Sequence, residues 1–179
     1  MEEAWAQTGV GKFGSCEAIR NGGRQFSPEQ RAALSAAGYE DESLPLLVTM
    51  CANLGDVYDT METVSVNQVT DIQGIATLCP NRPGLDALLA KAGIAQQSEA
   101  DRAAGIRFGA GVLLVGTEAQ PGRYVHEGPV ENCYWERTDQ AGNTIDNFFT
   151  LGAARVEVVI QASDYSFNSS GCGEWVKIG

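Results

Sequence analysis

The spacing of apolar residues changes near residue 100, and this change constrains the fold more than any other feature. In the first half, apolar residues recur every three or four positions, which is the period of a helix face packed on a core. From about residue 106 they alternate, most clearly at residues 155–160, as in a half-buried antiparallel strand. We therefore predict an α+β chain with a helical domain at residues 1–97 and an antiparallel β-sandwich domain at residues 106–179. A polar run without periodicity predicts a linker at residues 98–105.

Start and stop signals define the predicted helices of the first half. Ser27 and Ser65 each precede a glutamine by three positions, which is the spacing of a capping box. Glycine and proline residues end the periodic segments. The predicted helices run from Ser27 to Gly38, over about residues 44–61, from Ser65 to Pro80, and from Asn81 to Gly93.

Six short segments in the second half have the composition of strands. Glycine, proline, asparagine and aspartate separate them, and this pattern indicates a small β-sandwich or barrel, of which we favour the sandwich. The predicted strands cover residues 108–115, 122–126, 133–138, 144–150, 155–161 and 173–178.

The chain has five cysteines, namely Cys16, Cys51, Cys79, Cys133 and Cys172. No two are close enough for a CxxC metal pair and there is a single histidine, so we predict no metal site. Two explanations remain, which are free thiols in a cytosolic protein or disulfides in an exported one. Cys133 and Cys172 lie beside aromatic residues, which is typical of disulfides packed against indole rings. We therefore expect export, with the cytosol as the alternative.

Helix geometry predicts one disulfide directly. A short connection at about residues 62–65 makes the flanking helices an antiparallel hairpin. Cys51 and Cys79 lie at distances from this turn that differ by about three residues, or about 4.5 Å along a helix. A disulfide accepts Cα separations of about 4.4–6.8 Å, so we predict a Cys51–Cys79 bridge. Cys16 is then the cysteine left without a partner in this sequence. It is a buried thiol, the former partner of a cysteine lost with a leader, or the residue that crosslinks two copies in a Cys16-linked dimer.

The charge of the chain excludes several partner classes. The 23 acidic and 12 basic residues give a net charge of −11, whereas nucleic-acid binding needs clustered Lys and Arg. The same charge disfavours anionic membrane surfaces, and no apolar run is long enough for a transmembrane helix. The partner that remains is an unknown protein or a cell-envelope component.

The first residues carry no signal-peptide pattern. Residues 1–5 contain neither a basic nor an apolar stretch. Together with the cysteines, this favours a mature, extracellular or envelope-attached form whose leader has been removed. A leaderless cytosolic protein is the alternative.

Four motifs of the second half resemble a small β-domain found in exported proteins and lipoproteins of actinobacteria. They are LVGTE at 114–118, PGRY at 121–124, CYWER at 133–137 and SSGCGEW at 169–175. In the helical half, IQG at 72–74 and LCP at 78–80 look like segments that accompany this domain. The resemblance implies export and a Cys133–Cys172 bridge, but it implies no activity and no catalytic residues. Glu118 stands where the family more often has aspartate.

No motif predicts catalysis. The sequence has no GxSxG elbow, no P-loop, and no GxGxxG between a strand and a helix. A hydrolase would use His126, the only imidazole, with a serine, or else a pair of carboxylates. The serines weighed as partners of His126 are Ser166, Ser169 and Ser170. The helical Asp56, Asp59 and Glu62 are weighed as an acid/base pair or as ligands of a hard cation, and the turn residues Asp139, Asn143 and Asp146 as ligands of Ca²⁺. Simpler structural roles explain these residues: the helical carboxylates fit a solvated face, the turn residues fit an Asx turn, and His126 fits an exposed strand end. We therefore assign no catalytic residue and no cofactor.

Aromatic residues supply the ligand-contact candidates. Tyr134 and Trp135 are adjacent in a predicted strand, so they face opposite sides and one of them is exposed. We take Tyr134, Trp135, Tyr124 and His126 as candidates, and a carbohydrate platform that includes Tyr165 is a rival interpretation. We predict an exported, non-enzymatic binding or envelope-associated module of unknown ligand. The alternative is a small secreted hydrolase that uses His126 or a carboxylate pair.

Overall fold

A computed structural model of the protein describes residues 26–52 and 57–179. The chain divides into two compact units, Met1–Gln97 and Ser98–Gly179. The first unit is helical and the second is built on an antiparallel sheet, which confirms the α+β class. Each unit holds one disulfide, as predicted. Cys16 and Asp56 lie outside the described residues.

Five α-helices are described, and a 3₁₀ turn at Asp41–Ser43 precedes the second. They are α1 (Pro28–Ala37), α2 (Leu44–Ala52), α3 (Val57–Thr60), α4 (Val66–Leu78) and α5 (Leu85–Ala103). Both predicted capping boxes are present, since the backbone N–H groups of Ser27 and Ser65 donate to the side chains of Gln30 and Gln68 at 2.9 and 2.8 Å. Gly38 ends α1 in the left-handed conformation, at φ 68°.

The predicted end of the last helix at Gly93 is wrong, because α5 continues to Ala103. A glycine inside a helix costs only about 1 kcal/mol relative to alanine. The flanking alanines, Lys91, Gln96 and Gln97 have high helix propensity and outweigh that cost. Residues 98–103, which lie in the predicted linker, are therefore helical.

Close packing at Gly74 defines the core of the first unit. A Cβ atom at Gly74 would lie 2.7 Å from the Cβ of Ala37 in α1 and 3.0 Å from Cδ2 of Leu47 in α2. Only glycine allows α4 to approach both helices this closely. The Cys51–Cys79 disulfide joins α2 to the end of α4, with a Cα separation of 6.0 Å and both cysteines buried. This pairing was predicted from helix geometry and is confirmed.

The second unit is one six-stranded antiparallel sheet. Its order is β1-β6-β3-β5-β2, with β4 on the other side of β3. The strands are β1 (Arg107–Phe108), β2 (Gly111–Leu114), β3 (Gly122–Thr138), β4 (Thr144–Ile160), β5 (Ser166–Ser170) and β6 (Trp175–Lys177). The predicted two-sheet sandwich is not confirmed, because every described strand of this unit belongs to the single curled sheet.

Strands β3 and β4 each merge two predicted strands. Their pairing shifts register between Glu127 and Val130, where Gly128 and Pro129 form a bulge. A bulge carries a proline without ending the strand, so the turn residues seen in the sequence do not mark a turn. The N-terminal part of β3 pairs with β6 and its C-terminal part pairs with β5. Strand β5 was not predicted, because its serines and asparagine have low strand propensity.

Aromatic rings and the second disulfide form the core of this unit. Cys133 and Cys172 are bridged, with a Cα separation of 4.4 Å, as the family resemblance implied. Trp175 is fully buried, and its indole N–H donates to Ser169 Oγ at 2.8 Å. Phe167 lies edge-on to the Trp175 ring. The bridge and these rings attach β5 and β6 to β3.

Candidate functional site on the outer sheet face

The sheet separates the adjacent aromatic residues Tyr134 and Trp135. Trp135 is 7% exposed and stacks on Phe148, with ring centroids 6.0 Å apart. Tyr134 points to the opposite side of β3, where it is half-buried. Tyr134 is therefore the member of this pair that reaches the surface.

Strand pairing places a group of side chains beside Tyr134, and we call this group the outer face. Phe149 of β4 is directly opposite Tyr134. In the next row, Glu136 of β3 lies between Asn147 of β4 and Asn168 of β5. Directly opposed residues share a side of the sheet, so these five side chains form one surface.

Glu136 is held at the centre of the outer face by three donors. Tyr134 Oη donates to Glu136 Oε2 at 3.0 Å, Asn168 Nδ2 donates to Oε1 at 3.1 Å, and Thr144 Oγ1 donates to Oε2 at 3.3 Å. The hydrogen bonds from Asn168 and Tyr134 hold the pKa of Glu136 below its usual value. The bond to Glu136 raises the pKa of Tyr134. At neutral pH the face therefore presents one fixed carboxylate beside a neutral phenol.

Two exposed apolar side chains lie near this polar group. Phe149 is 59% exposed, and Val112 of β2, opposite Asn168, is also exposed. Soluble proteins rarely expose large apolar side chains together unless the surface makes a contact. The outer face thus combines an exposed aromatic ring with a hydrogen-bond acceptor whose position is fixed by its neighbours.

Tyr124 does not belong to this surface. Its side chain is fully buried, and its hydroxyl lies 3.0 Å from the carbonyl oxygen of Gly105 and 2.6 Å from that of Gln120. Burial raises the pKa of Tyr124 to about 12. Its contacts tie the segment before β3 to the segment before β1.

His126 is also placed away from the outer face. Its Nδ1 lies 2.9 Å from the carbonyl oxygen of Glu174, and its ring occupies the space where a side chain at Gly173 would lie. Two of the serines weighed as its partners have other hydrogen bonds, since Ser166 pairs with Thr138 at 2.7 Å and Ser169 accepts from Trp175. The structure does not assemble a histidine–serine pair from these residues.

Three of the carboxylates weighed for catalysis or for a cation have structural contacts. Asp59 binds the buried Arg82 at 2.8 and 3.0 Å. Asp139 accepts from the backbone N–H of Ala141 at 2.9 Å, as in an Asx turn, and Asp146 pairs with Arg137 at 3.2 Å. Glu62 is exposed. Within the described part of the chain, no three His, Cys, Asp or Glu side chains are grouped to hold a metal ion.

Of the residues on the outer face, the sequence analysis named Tyr134 as a candidate but not Phe149, Glu136 or Asn168. The signal for Phe149 was present, because Phe148 and Phe149 are adjacent in a predicted strand and must also face opposite sides. Glu136 and Asn168 carry no such signal, since their proximity depends on the pairing of β3 with the unpredicted β5.

Comparison with known proteins gives one match. Residues 106–176 match the family model described as the Rv1352-like extracellular domain. No curated protein and no solved structure matches the chain. Among the residues that the structure describes, no helix is long and apolar enough to cross a membrane. The second half of the chain is thus similar to an extracellular domain, which confirms the expected extracellular or envelope localisation.

Proposed function

We propose that this protein is an exported, non-enzymatic binding module that docks another protein of the cell envelope on its outer face. The match to an extracellular domain supports export. The exposed Phe149 ring beside the anchored Glu136 carboxylate is the observation that carries the docking role.

The chemistry of the outer face defines the complementary partner surface. Phe149 and Tyr134 offer an aromatic anchor of the kind that contributes most of the binding energy in many interfaces. Glu136 already has its geometry fixed by neighbouring donors, so it loses little side-chain entropy on binding. The partner surface is therefore apolar and surrounds one cationic or hydrogen-bond-donating group that reaches Glu136.

Affinity capture from an envelope extract tests the proposal. The bait is the full chain, and the test variant is Phe149→Ser, with Ile94→Ser as control because Ile94 is an exposed apolar residue of α5 in the other unit. We expect the wild type and Ile94→Ser to retain the same protein, and Phe149→Ser to bind it at least tenfold more weakly. Equal retention by all three proteins, or capture of glycan alone, contradicts the proposal.

Replacement of Glu136 tests the electrostatic part of the proposal. Glu136→Gln keeps the shape of the side chain but removes its charge. We expect the captured complex to weaken with added salt for the wild type and to lose most of that dependence for Glu136→Gln. An unchanged salt dependence shows that Glu136 does not meet a cation.

A further inference from the structure

Strand β4 has a long free edge. It pairs with β3 along one side, and no other described strand pairs with it. The strand runs over the 17 residues of Thr144–Ile160. A free edge presents unpaired N–H and C=O groups to which another strand can add.

The middle of this edge lacks the features that prevent strand addition. Residues 147–154 contain no charged residue and no proline, although the whole chain carries a net charge of −11. Most soluble proteins protect a free edge with charged residues, especially lysine, or with proline. Leu151, in the middle of this stretch, is 74% exposed. The stretch is therefore suited to being covered by another strand.

The stretch is complementary to itself. If two copies pair in antiparallel fashion about Thr150, Phe149 of each copy lies opposite Leu151 of the other. Both side chains are exposed and lie on the same side of the sheet. On the opposite side, Phe148 lies against Gly152, and an aromatic ring packs well over a cross-strand glycine. One register thus fills both sides of the contact.

The charges that border the stretch are compatible with this register. Asp146 of one copy lies opposite Ala154 of the other, and Arg155 lies opposite Ile145. No two like charges are directly opposed, so the contact avoids the repulsion that two acidic chains meet in most arrangements.

We infer that two copies of this chain associate through β4, in antiparallel pairing about a two-fold axis at Thr150. The partner is a second copy because the stretch complements itself in this one register, where Phe149 meets Leu151 and Phe148 meets Gly152 twice, once on each side of the two-fold axis. The contact joins the two sheets edge to edge. The contact shares Phe149 with the outer face, whereas Leu151 belongs to the contact alone, so a Leu151 variant tests this inference separately from the proposed function.

Sedimentation over a range of concentrations tests this inference on the full chain. A Cys16→Ser background removes any crosslink through Cys16. Leu151→Lys places a charge in the stretch, and Val159→Lys is the control, because Val159 is exposed on the same strand but outside the paired segment. We expect a monomer–dimer equilibrium whose dissociation constant rises at least tenfold for Leu151→Lys and stays unchanged for Val159→Lys. A monomer at every concentration, or equal effects of both lysines, overturns the inference.

Engineered cysteines test the register. Thr150→Cys brings two copies of residue 150 opposite each other, at the separation of about 4.5–5.5 Å that a disulfide accepts. We expect a crosslinked dimer on oxidation of Cys16→Ser/Thr150→Cys, whereas Cys16→Ser/Asn147→Cys stays monomeric on a denaturing gel. Equal crosslinking at positions 147 and 150 contradicts pairing about Thr150. This readout holds even if a lysine variant fails to fold.

Discussion

The same substitution at two helical glycines is expected to change stability in opposite directions. Gly74 lies in α4 against two other helices, and Gly93 lies in α5 with open space around it. Replacing either by alanine removes the entropy cost of a glycine in a helix, which is worth about 1 kcal/mol. The two sites differ only in what the added methyl group meets.

At Gly74 the methyl group has no room. It would lie 2.7 Å from the Cβ of Ala37 and 3.2 Å from the carbonyl oxygen of Ala33. Neither atom moves without its backbone, so α1 and α4 must separate. Overpacking of this kind costs about 1–3 kcal/mol, and subtraction of the helix-propensity gain leaves a loss of up to about 2 kcal/mol for Gly74→Ala. At Gly93 the added methyl group meets no atom within 4 Å apart from its chain neighbours and its own helix backbone, so Gly93→Ala keeps the whole gain.

Thermal and denaturant unfolding of the two variants measure this difference. A change of 1 kcal/mol shifts the Tm of a domain of this size by about 4–8 °C. We expect Gly74→Ala to lower the Tm of the helical unit and Gly93→Ala to raise it. If Gly74→Ala is as stable as Gly93→Ala, the close packing of α4 against α1 is refuted.

Three further predictions concern stability. Cys133→Ser removes the disulfide to Cys172, which closes a loop of 39 residues, and we expect it to lower the free energy of unfolding by about 3–4 kcal/mol in a denaturant titration. A variant as stable as the wild type contradicts a structural role for this bridge. Tyr124→Phe removes a buried donor from two backbone carbonyl groups and costs about 1–2 kcal/mol in the same assay, whereas a neutral effect shows that these contacts do not stabilise the fold. The hydrogen bond to Asp71 raises the pKa of Tyr39 to about 12, above about 10 in the unfolded chain. This stabilisation is fully present below pH 10 and is lost as the pH rises towards 12. Over that range we therefore expect the free energy of unfolding to fall less steeply with pH for Tyr39→Phe than for the wild type.

Local signals in the sequence determined the class of each half and much of the helical unit. The capping boxes at Ser27 and Ser65 and the left-handed glycine at position 38 act within one turn of helix, so they are readable without a partner segment. The Cys51–Cys79 pairing was predicted from the rise per residue of two helices joined by a short turn, and it is confirmed although a further helix, α3, lies between α2 and α4.

The boundaries of helices and strands were predicted less accurately from the sequence, because a single glycine or proline can either end an element or be tolerated inside it. Gly93 is tolerated inside α5, and Gly128 and Pro129 form a bulge in β3 where a turn was expected. In both cases the neighbouring segments decide, since a continuous helix or a paired partner strand stabilises the chain by more than one unfavourable residue costs.

The sequence by itself determined that one of Tyr134 and Trp135 reaches the surface, because adjacent strand residues point to opposite sides. Only the tertiary structure decided that it is Tyr134, and that Phe149 and Glu136 accompany it. The reason is that the register of β3 with β4 and β5 depends on contacts between residues far apart in the chain, and a shift of one position exchanges the two sides. The same dependence left the free edge of β4 beyond sequence reasoning, since an edge exists only once the order of the strands is known.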